Sequence, residues 1–545
     1  MHNLFLGKGN VLAIFLLFTL FSGISAWGQS GKKNVILIFM DDLTADPGAT
    51  TKLELPNVDR LRKKGMNFAS AHAASPLCNP SRTAILTGVA PWQSKIYDNS
   101  TFFRDDATYG SVTTLPQFFK GKGYEVISSG KIFHHSTGDE SDPLSWTKNR
   151  TIVDVLYGDN ASENGDIYTS NGGFLDKSVY EEQTNLKWGQ IDKTREQMDD
   201  WKNVSEAISY LKSRVGSTST IPAYKYEQIN DIDNPTESVS KADTTPFFLA
   251  VGIVRPHLPH YYPKDYASLY PSMDLPATTD PSGAPDTQDL VSPGNKVLDA
   301  MLSKYKEAGW KQAIQSYYRA ASFADWCVGQ LLDQVEKLPT EVKNNTLIVL
   351  MGDHGYHLGQ KGSWAKANPD SATNPLLWEQ TSHTPLIIYD PTKSKSFGKT
   401  FVSPVSLQDI YPTVLELCGF TLDSNFDNDP KHSKKIWGKS LASFLTNGST
   451  SSTSTYAQSS GFGGWYSLRT NEWRLLYKEN LKGTREQTEL YCHSANYASK
   501  GIPEDGREMD NLLYELKSDN PNYTFLNSIV KSLYDQSKAI RNGTR

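Results

Sequence analysis

The chain alternates short, wholly apolar runs with longer segments of helical period. Asn34-Val35-Ile36-Leu37-Ile38-Phe39-Met40 is the first such run; Phe247–Val254, Thr346–Met351 and Pro385–Tyr389 are others. Strand-length runs without a polar face suit a parallel sheet covered by helices on both sides. Helical patterns lie between them. One over Val58–Lys64 stops at Gly65, a longer one runs from about Trp310 to Leu338, and a third near Ser406–Leu417 ends at Gly419. Glycine just past the last periodic residue is a common helix stop. Strands alternating with helices predict an α/β layered fold.

Two regions break this rhythm. Residues 136–245 are polar and poorly periodic, and residues 270–296 are rich in Pro, Asp, Gly and Ser. Both read as long loops or insertions, of the kind that shape a substrate pocket. Asn447–Thr455 has the composition of a linker. The domain boundary is placed there, giving a catalytic domain over 29–446 and a smaller C-terminal subdomain over 447–545. Trp465–Arg469 and Trp473–Tyr477 in that tail read as strands of a small antiparallel sheet.

At the N-terminus, Lys8 precedes the apolar run Val11–Phe21, and small residues follow at Ser22, Gly23, Ser25 and Ala26. This is the layout of a cleavable secretory signal peptide, assigned to residues 1–28. The run is shorter than the ~20 residues that a retained membrane anchor needs. Export follows, to the periplasm or the medium, with no membrane anchor. Charged residues make up 21% of the 545 and the net charge is -5, which gives no reason to propose a nucleic-acid partner. The four cysteines, Cys78, Cys327, Cys418 and Cys492, are too few for a disulfide scaffold. Cys327 lies in an apolar helical stretch and reads as a buried thiol.

Chemistry gathers where the apolar runs end. Asp41-Asp42 directly follows the first run, and Gly352-Asp353-His354-Gly355 follows a later one. Ligands in open α/β sheets bind at the carboxyl ends of strands. Adjacent carboxylates there suit a hard cation, calcium or magnesium; taken alone, the Asp pair reads rather as a solvated turn, and the second strand-end site brings a shared metal site level with it. A third segment, Cys78-Asn79-Pro80-Ser81-Arg82 followed by Leu86-Thr87-Gly88, decides between these readings. Cys-x-Pro-Ser-Arg with Leu-Thr-Gly is the maturation motif of the type I, formylglycine-dependent sulfatases, and the two acidic motifs occur in that family's order.

The resemblance extends over nearly the whole mature chain. Gly130-Lys131-Ile132-Phe133-His134, Arg255-Pro256-His257-Leu258-Pro259 and Gly362-Ser363-Trp364-Ala365-Lys366 match further family elements. The chain looks most similar to the iduronate-2-sulfatase branch, with a bacterial polysaccharide sulfatase of the ulvan type a close variant. His354 departs from the many members that carry Asn there. What the resemblance implies is an alkaline-phosphatase-like sandwich, with a large mostly parallel sheet between helices. It implies that a separate maturation enzyme oxidises Cys78 to formylglycine (3-oxoalanine). It implies one calcium ion per chain, held by Asp41, Asp42, Asp353, His354 and the modified Cys78. One hydroxyl of the hydrated aldehyde attacks sulfur and displaces a sugar alcohol; the other loses its proton as sulfate leaves. By the same resemblance Arg82 stabilises the nucleophile, Lys131 and Lys366 neutralise sulfate, His134 takes the diol proton and His257 protonates the leaving oxygen.

The expected substrate is a sulfated carbohydrate, such as a glycosaminoglycan or ulvan. The competing readings are a phosphate or phosphonate ester hydrolase of the same superfamily and a non-catalytic glycan-binding protein. Trp92, Tyr97, Arg104, Trp364 and Trp378 are candidates for sugar contact. His135 and His260 sit beside matched histidines, outside the catalytic set.

Overall fold

A computed structural model of the chain describes residues 32–46, 48–134, 141–149, 173–175, 186–214, 245–276, 296–364, 366, 376–421, 436–513 and 516–543. The signal-peptide segment 1–28, His135 and most of the two loop regions lie outside the described residues.

The apolar runs form the centre of an eight-stranded sheet. Its order is Lys399–Phe401, Met66–Phe68, Leu386–Tyr389, Thr346–Gly352, Asn34–Met40, Phe247–Ile253, Glu125–Gly130 and Lys148–Asn149. Alternate residues of each central strand enter opposite cores. Val35, Leu37 and Phe39 pack with helices Cys78–Thr87, Leu115–Gly121 and Ile410–Leu417 on one face. Ile36, Ile38 and Met40 pack with helices Pro56–Lys64, Asp199–Ser213 and Lys296–Glu336 on the other. Burying each such side chain contributes about 1.5–3 kcal/mol, which explains why no polar residue interrupts these strands.

Two expectations need correcting. Leu386–Tyr389 is not one of the parallel strands: it runs antiparallel to both Thr346–Gly352 and Met66–Phe68. The chain re-enters the sheet at the end where it left, with Gly352 N donating to Pro385 O at 3.1 Å, so the strand has to run back. The region 136–245 also contains a 15-residue helix, Asp199–Ser213. Val204, Ala207, Ile208 and Leu211 supply its i, i+3, i+4, i+7 apolar face, and they are buried against the sheet.

The C-terminal strands Ala457–Gly461, Trp465–Arg469, Trp473–Glu479 and Arg485–Cys492 form a separate antiparallel meander. Helix Tyr523–Arg541 covers one face through Leu526, Val530 and Leu533. The meander is joined firmly to the large sheet's surroundings. Ser460 N donates to Ala74 O at 2.8 Å, and Trp465, Leu476 and Tyr491 pack against Leu376, Leu377 and Trp378. The linker-like segment lies along the large domain, with Val402 N donating to Thr450 O at 2.9 Å. No helix among the described residues is long and apolar enough to cross a membrane.

Candidate active site

Register brings the motifs to one rim. Met40 is level with Gly352 on one side and Ile253 on the other, and Gly130 is level with Gly252. Asp41-Asp42, Asp353-His354, Lys131 and the loop carrying His257 therefore leave adjacent parallel strands at the same height. Glycine is required at that edge. A Cβ on Gly130 would stand 2.0 Å from Gly252 O, and one on Gly252 would stand 1.9 Å from Lys131 O. Asp42 takes a left-handed backbone, φ 60°, uncommon for a residue with a side chain. Tyr317 holds it there: its hydroxyl donates to Asp42 O at 2.7 Å and accepts from Thr44 N at 3.0 Å.

Cys78 enters from the opposite side, as the first residue of helix Cys78–Thr87, and is wholly buried. Its Sγ is the atom at which the side chains of the matched motifs meet. Lys366 Nζ lies 3.0 Å from Sγ, His354 Nε2 3.4 Å and Asp41 Oδ1 3.6 Å. His134 also hydrogen-bonds to the sulfur. One turn along the helix, Arg82 spreads its guanidinium over the rim. Nε donates to Asp353 Oδ2 at 2.8 Å, Nη1 donates to Lys131 O at 2.6 Å, and Nη2 lies 3.2 Å from Asp41 Oδ1. Lys131 pairs with Asp41, and Lys366 donates to Asp42 Oδ1 at 2.8 Å. His257 Nε2 lies 3.9 Å from Asp42 Oδ2. The structure thus brings together all ten residues singled out from the sequence.

These neighbours determine the protonation of the site. Burial alone would raise the Cys78 thiol, but Lys131, Lys366 and His354 bring it well below its ordinary value. Burial and the Cys78 charge work against Asp41, yet Lys131 and Arg82 hold its carboxyl well below the usual carboxylate range. His354 is pushed up to about 9, because Asp353, Cys78 and Asp42 outweigh its burial. An anionic atom at position 78 is therefore stabilised by the surrounding charge.

The donor set at the rim offers a place for a cation. One ligand atom each from Asp41, Asp42, Cys78 and His354 lie within 4.8 Å of one another. Asp353 is adjacent, accepting from Asp42 N at 3.1 Å and standing 3.8 Å from His354 Nε2. Carboxylate oxygens suit a hard divalent ion, sulfur does not, and oxygen in place of sulfur at position 78 would make the set suitable.

A buried nucleophile position ringed by carboxylates and cations at strand ends defines an esterase for a tetrahedral oxyanion. A family model described as Sulfatase matches residues 33–420, and the chain belongs to the sulfatase family. Members generally use a formylglycine residue and a metal ion and are sulfuric ester hydrolases. A protein from Formosa agariphila named Sulfatase is 32% identical over 71% of this chain and 69% of its own length. Human iduronate 2-sulfatase is 29% identical over 70% of this chain, which spans 62% of that relative. Among solved structures, a protein in complex with its substrate D-glucosamine-2-N,6-O-disulfate aligns with TM-score 0.61 and 18% identity, over 94% of this chain and 98% of that one. A phosphonate monoester hydrolase from Silicibacter pomeroyi aligns at 0.62 and 18%, over 94% and 96%. At that identity both neighbours establish the fold alone.

The residues considered for sugar contact fare differently. Trp92, Trp364 and Trp378 are buried in the cores. Trp378 Nε1 donates to Glu489 at 2.9 Å, tying the two sheets together. Arg104 forms a two-pronged pair with Asp142, at 2.9 and 2.8 Å, and reaches carbonyls of its own loop. The Tyr97 hydroxyl lies beside Ser460 in the meander. The three tryptophans serve packing, and Arg104 serves to fix its own loop. Sequence reading missed two supports of the site. One is Tyr317, inside an expected helix. The other is Asp200, which accepts from Val254 N at 2.7 Å and Arg255 N at 2.9 Å and so anchors the loop before His257. The apolar face of Asp199–Ser213 is the signal that would have drawn attention to Asp200.

Proposed function

We propose that the protein is an exported, calcium-dependent sulfatase that removes sulfate ester groups from a carbohydrate, on polysaccharide or its oligosaccharides. A single observation carries this reading: the carboxylates, lysines, histidines and arginine of the matched motifs converge on one buried atom, Cys78 Sγ. Residues 1–28 direct export, 29–446 carry the chemistry, and 447–545 form the smaller subdomain behind it. Relatives named iduronate 2-sulfatase and ulvan-active sulfatase support a sulfated uronic-acid-containing glycan as the substrate class.

In the mechanism we infer, a maturation enzyme converts Cys78 to formylglycine, whose hydrate supplies the attacking hydroxyl. Asp41, Asp42, Asp353 and His354 would hold the calcium ion, which supplies positive charge to the sulfate oxygens and the nucleophile. Lys131 and Lys366 bind and neutralise the sulfate group. Arg82 orients position 78 while Asp353 and Asp41 fix its guanidinium. His134 accepts the proton of the second hydroxyl. His257, with Nδ1 at 2.6 Å from Leu258 O, presents Nε2 to protonate the leaving alcohol oxygen.

The test is sulfate release from heparan, dermatan, ulvan, carrageenan and fucan fragments by protein co-expressed with a maturation enzyme, with Cys78→Ala as control. Release from one class, absent in the control, is expected. Phosphate release from matched phosphate monoesters in preference to every sulfate ester would overturn the reading.

A further inference from the structure

His260 lies three residues after His257 and is wholly buried, so it does not contact a sugar. Its Nδ1 is 2.8 Å from Pro256 O, on the residue just before His257. A carbonyl only accepts, so Nδ1 carries the proton and donates. Burial, only partly offset by this hydrogen bond, pushes the ring's pKa down to about 3, and the imidazole is neutral. Nε2 has no hydrogen-bond partner among the described residues.

The ring is held on the faces that remain. It meets Tyr317, Tyr356 and Trp364 edge-on, with centroids 5.3, 5.7 and 6.0 Å away. Tyr317 is the residue that fixes the Asp42 backbone, and Trp364 precedes Lys366 by two positions. One neutral ring thus touches the support of a metal-site carboxylate and bonds the turn that carries His257.

We propose that His260 is a positioning residue, fixing the Arg255–Pro259 turn so that His257 Nε2 stands where the leaving oxygen needs its proton. This rests on the reading of His257 as the general acid. A misplaced acid matters in proportion to how badly the leaving group needs a proton. Nitrophenolate departs readily without one, and phenolate does so poorly.

The experiment measures kcat and KM for phenyl sulfate and nitrophenyl sulfate with the full-length, formylglycine-bearing protein. His260→Phe keeps the ring and loses the donor. His260→Asn places an amide nitrogen near the Nδ1 position, whereas His260→Gln reaches toward Nε2 instead. His260→Phe is expected to lose about 10–100-fold in kcat on phenyl sulfate and several-fold less on nitrophenyl sulfate, with KM little changed. His260→Asn should recover most of that loss and His260→Gln should not. Should His260→Phe fail to fold, the Asn and Gln pair carries the same comparison. Equal losses on both esters, or no difference between Asn and Gln, overturn the positioning role while the site stands. Turnover persisting in Cys78→Ala overturns the site and the inference with it.

Discussion

Two buried charge clusters, each of carboxylates facing arginine and histidine, behave differently. At the rim, Asp41, Asp42 and Asp353 meet Arg82, Lys131, Lys366 and His354. Behind it, where the meander joins the large domain, Glu379 and Glu508 meet Arg474, Arg469, His493 and His383. In the second cluster the Arg474 guanidinium lies between the carboxylates, donating to Glu508 and, at 2.5 Å, to Glu379. His493 and the Glu379 backbone N–H complete Glu508 at 2.8 and 2.7 Å. Glu379, His493 and Glu508 have donor atoms close enough together to hold an ion, but Arg474 already supplies the positive charge they need. At the rim the cations face a reactive atom as well as the carboxylates: Lys366 reaches both Asp42 and Cys78. Proximity of donors is thus common to both clusters. What distinguishes a working site is a network left open toward one atom.

The largest effect expected from breaking this contrast is at that atom. Cys78→Ala removes the nucleophile's precursor and should reduce sulfate release to background. The circular-dichroism spectrum and melting temperature should remain close to wild type, since the change shortens one small side chain and leaves the packing of helix Cys78–Thr87 in place. Full turnover in a folded Cys78→Ala protein would end the mechanism. A chelator should abolish activity and added calcium restore it, with no change in the rear cluster. Activity indifferent to both would remove the metal assignment.

The next effect is on stability rather than rate. Arg474→Met leaves Glu379 and Glu508 buried without their shared cation, which costs about 3–5 kcal/mol. Urea unfolding reads this as a lower midpoint at unchanged slope. Combining Arg474→Met with Glu379→Gln and Glu508→Gln should recover a large part, because the uncompensated charges go. A single variant as stable as wild type would mean that the rear cluster is not a closed network.

How much of this was legible in the sequence follows from what each signal measures. Asp41 and Asp353 were legible because they follow apolar strands, and strand ends in such sheets share one edge; Lys131 was legible only through its resemblance to a family motif, since the strand before it, Glu125–Gly130, is not apolar. Hydrophobic period reports burial but not direction, so Leu386–Tyr389 was indistinguishable from its parallel neighbours. Nor does an aromatic's identity reveal whether it lines a cleft or fills a core, as Trp364 and Trp378 demonstrate. Asp200, Tyr317 and His260 act through backbone carbonyls and amides, and a partner of that kind leaves no mark in spacing.

The smallest effect sharpens the comparison through pH. His72 sits beside the rear cluster, 3.4 Å from Arg474 Nη2 and 2.9 Å from Ser70 Oγ. Burial, reinforced by Arg474, His383 and Arg469 against the pull of Glu379, holds its pKa well below the usual histidine value of 6.5. The unfolded chain therefore takes up a proton near that value that the folded chain refuses, and stability falls as pH drops below about 6.5. Burial opposes ionisation of Glu379, but the Arg474 guanidinium and the hydrogen bond from His383 hold its pKa well below 4.5. A depressed carboxylate contributes stability above its unfolded value and loses it as pH falls further, so this second loss begins only below about 4.5. Each proton contributes a slope of about 1.4 kcal/mol per pH unit within its window. His72→Gln should flatten the curve just below pH 6.5 and leave the steeper fall below 4.5 in place. Urea midpoints measured from pH 7 to 4 distinguish the two windows. A His72→Gln curve parallel to wild type throughout would show that the rear cluster excludes its proton for a reason other than the burial of this histidine.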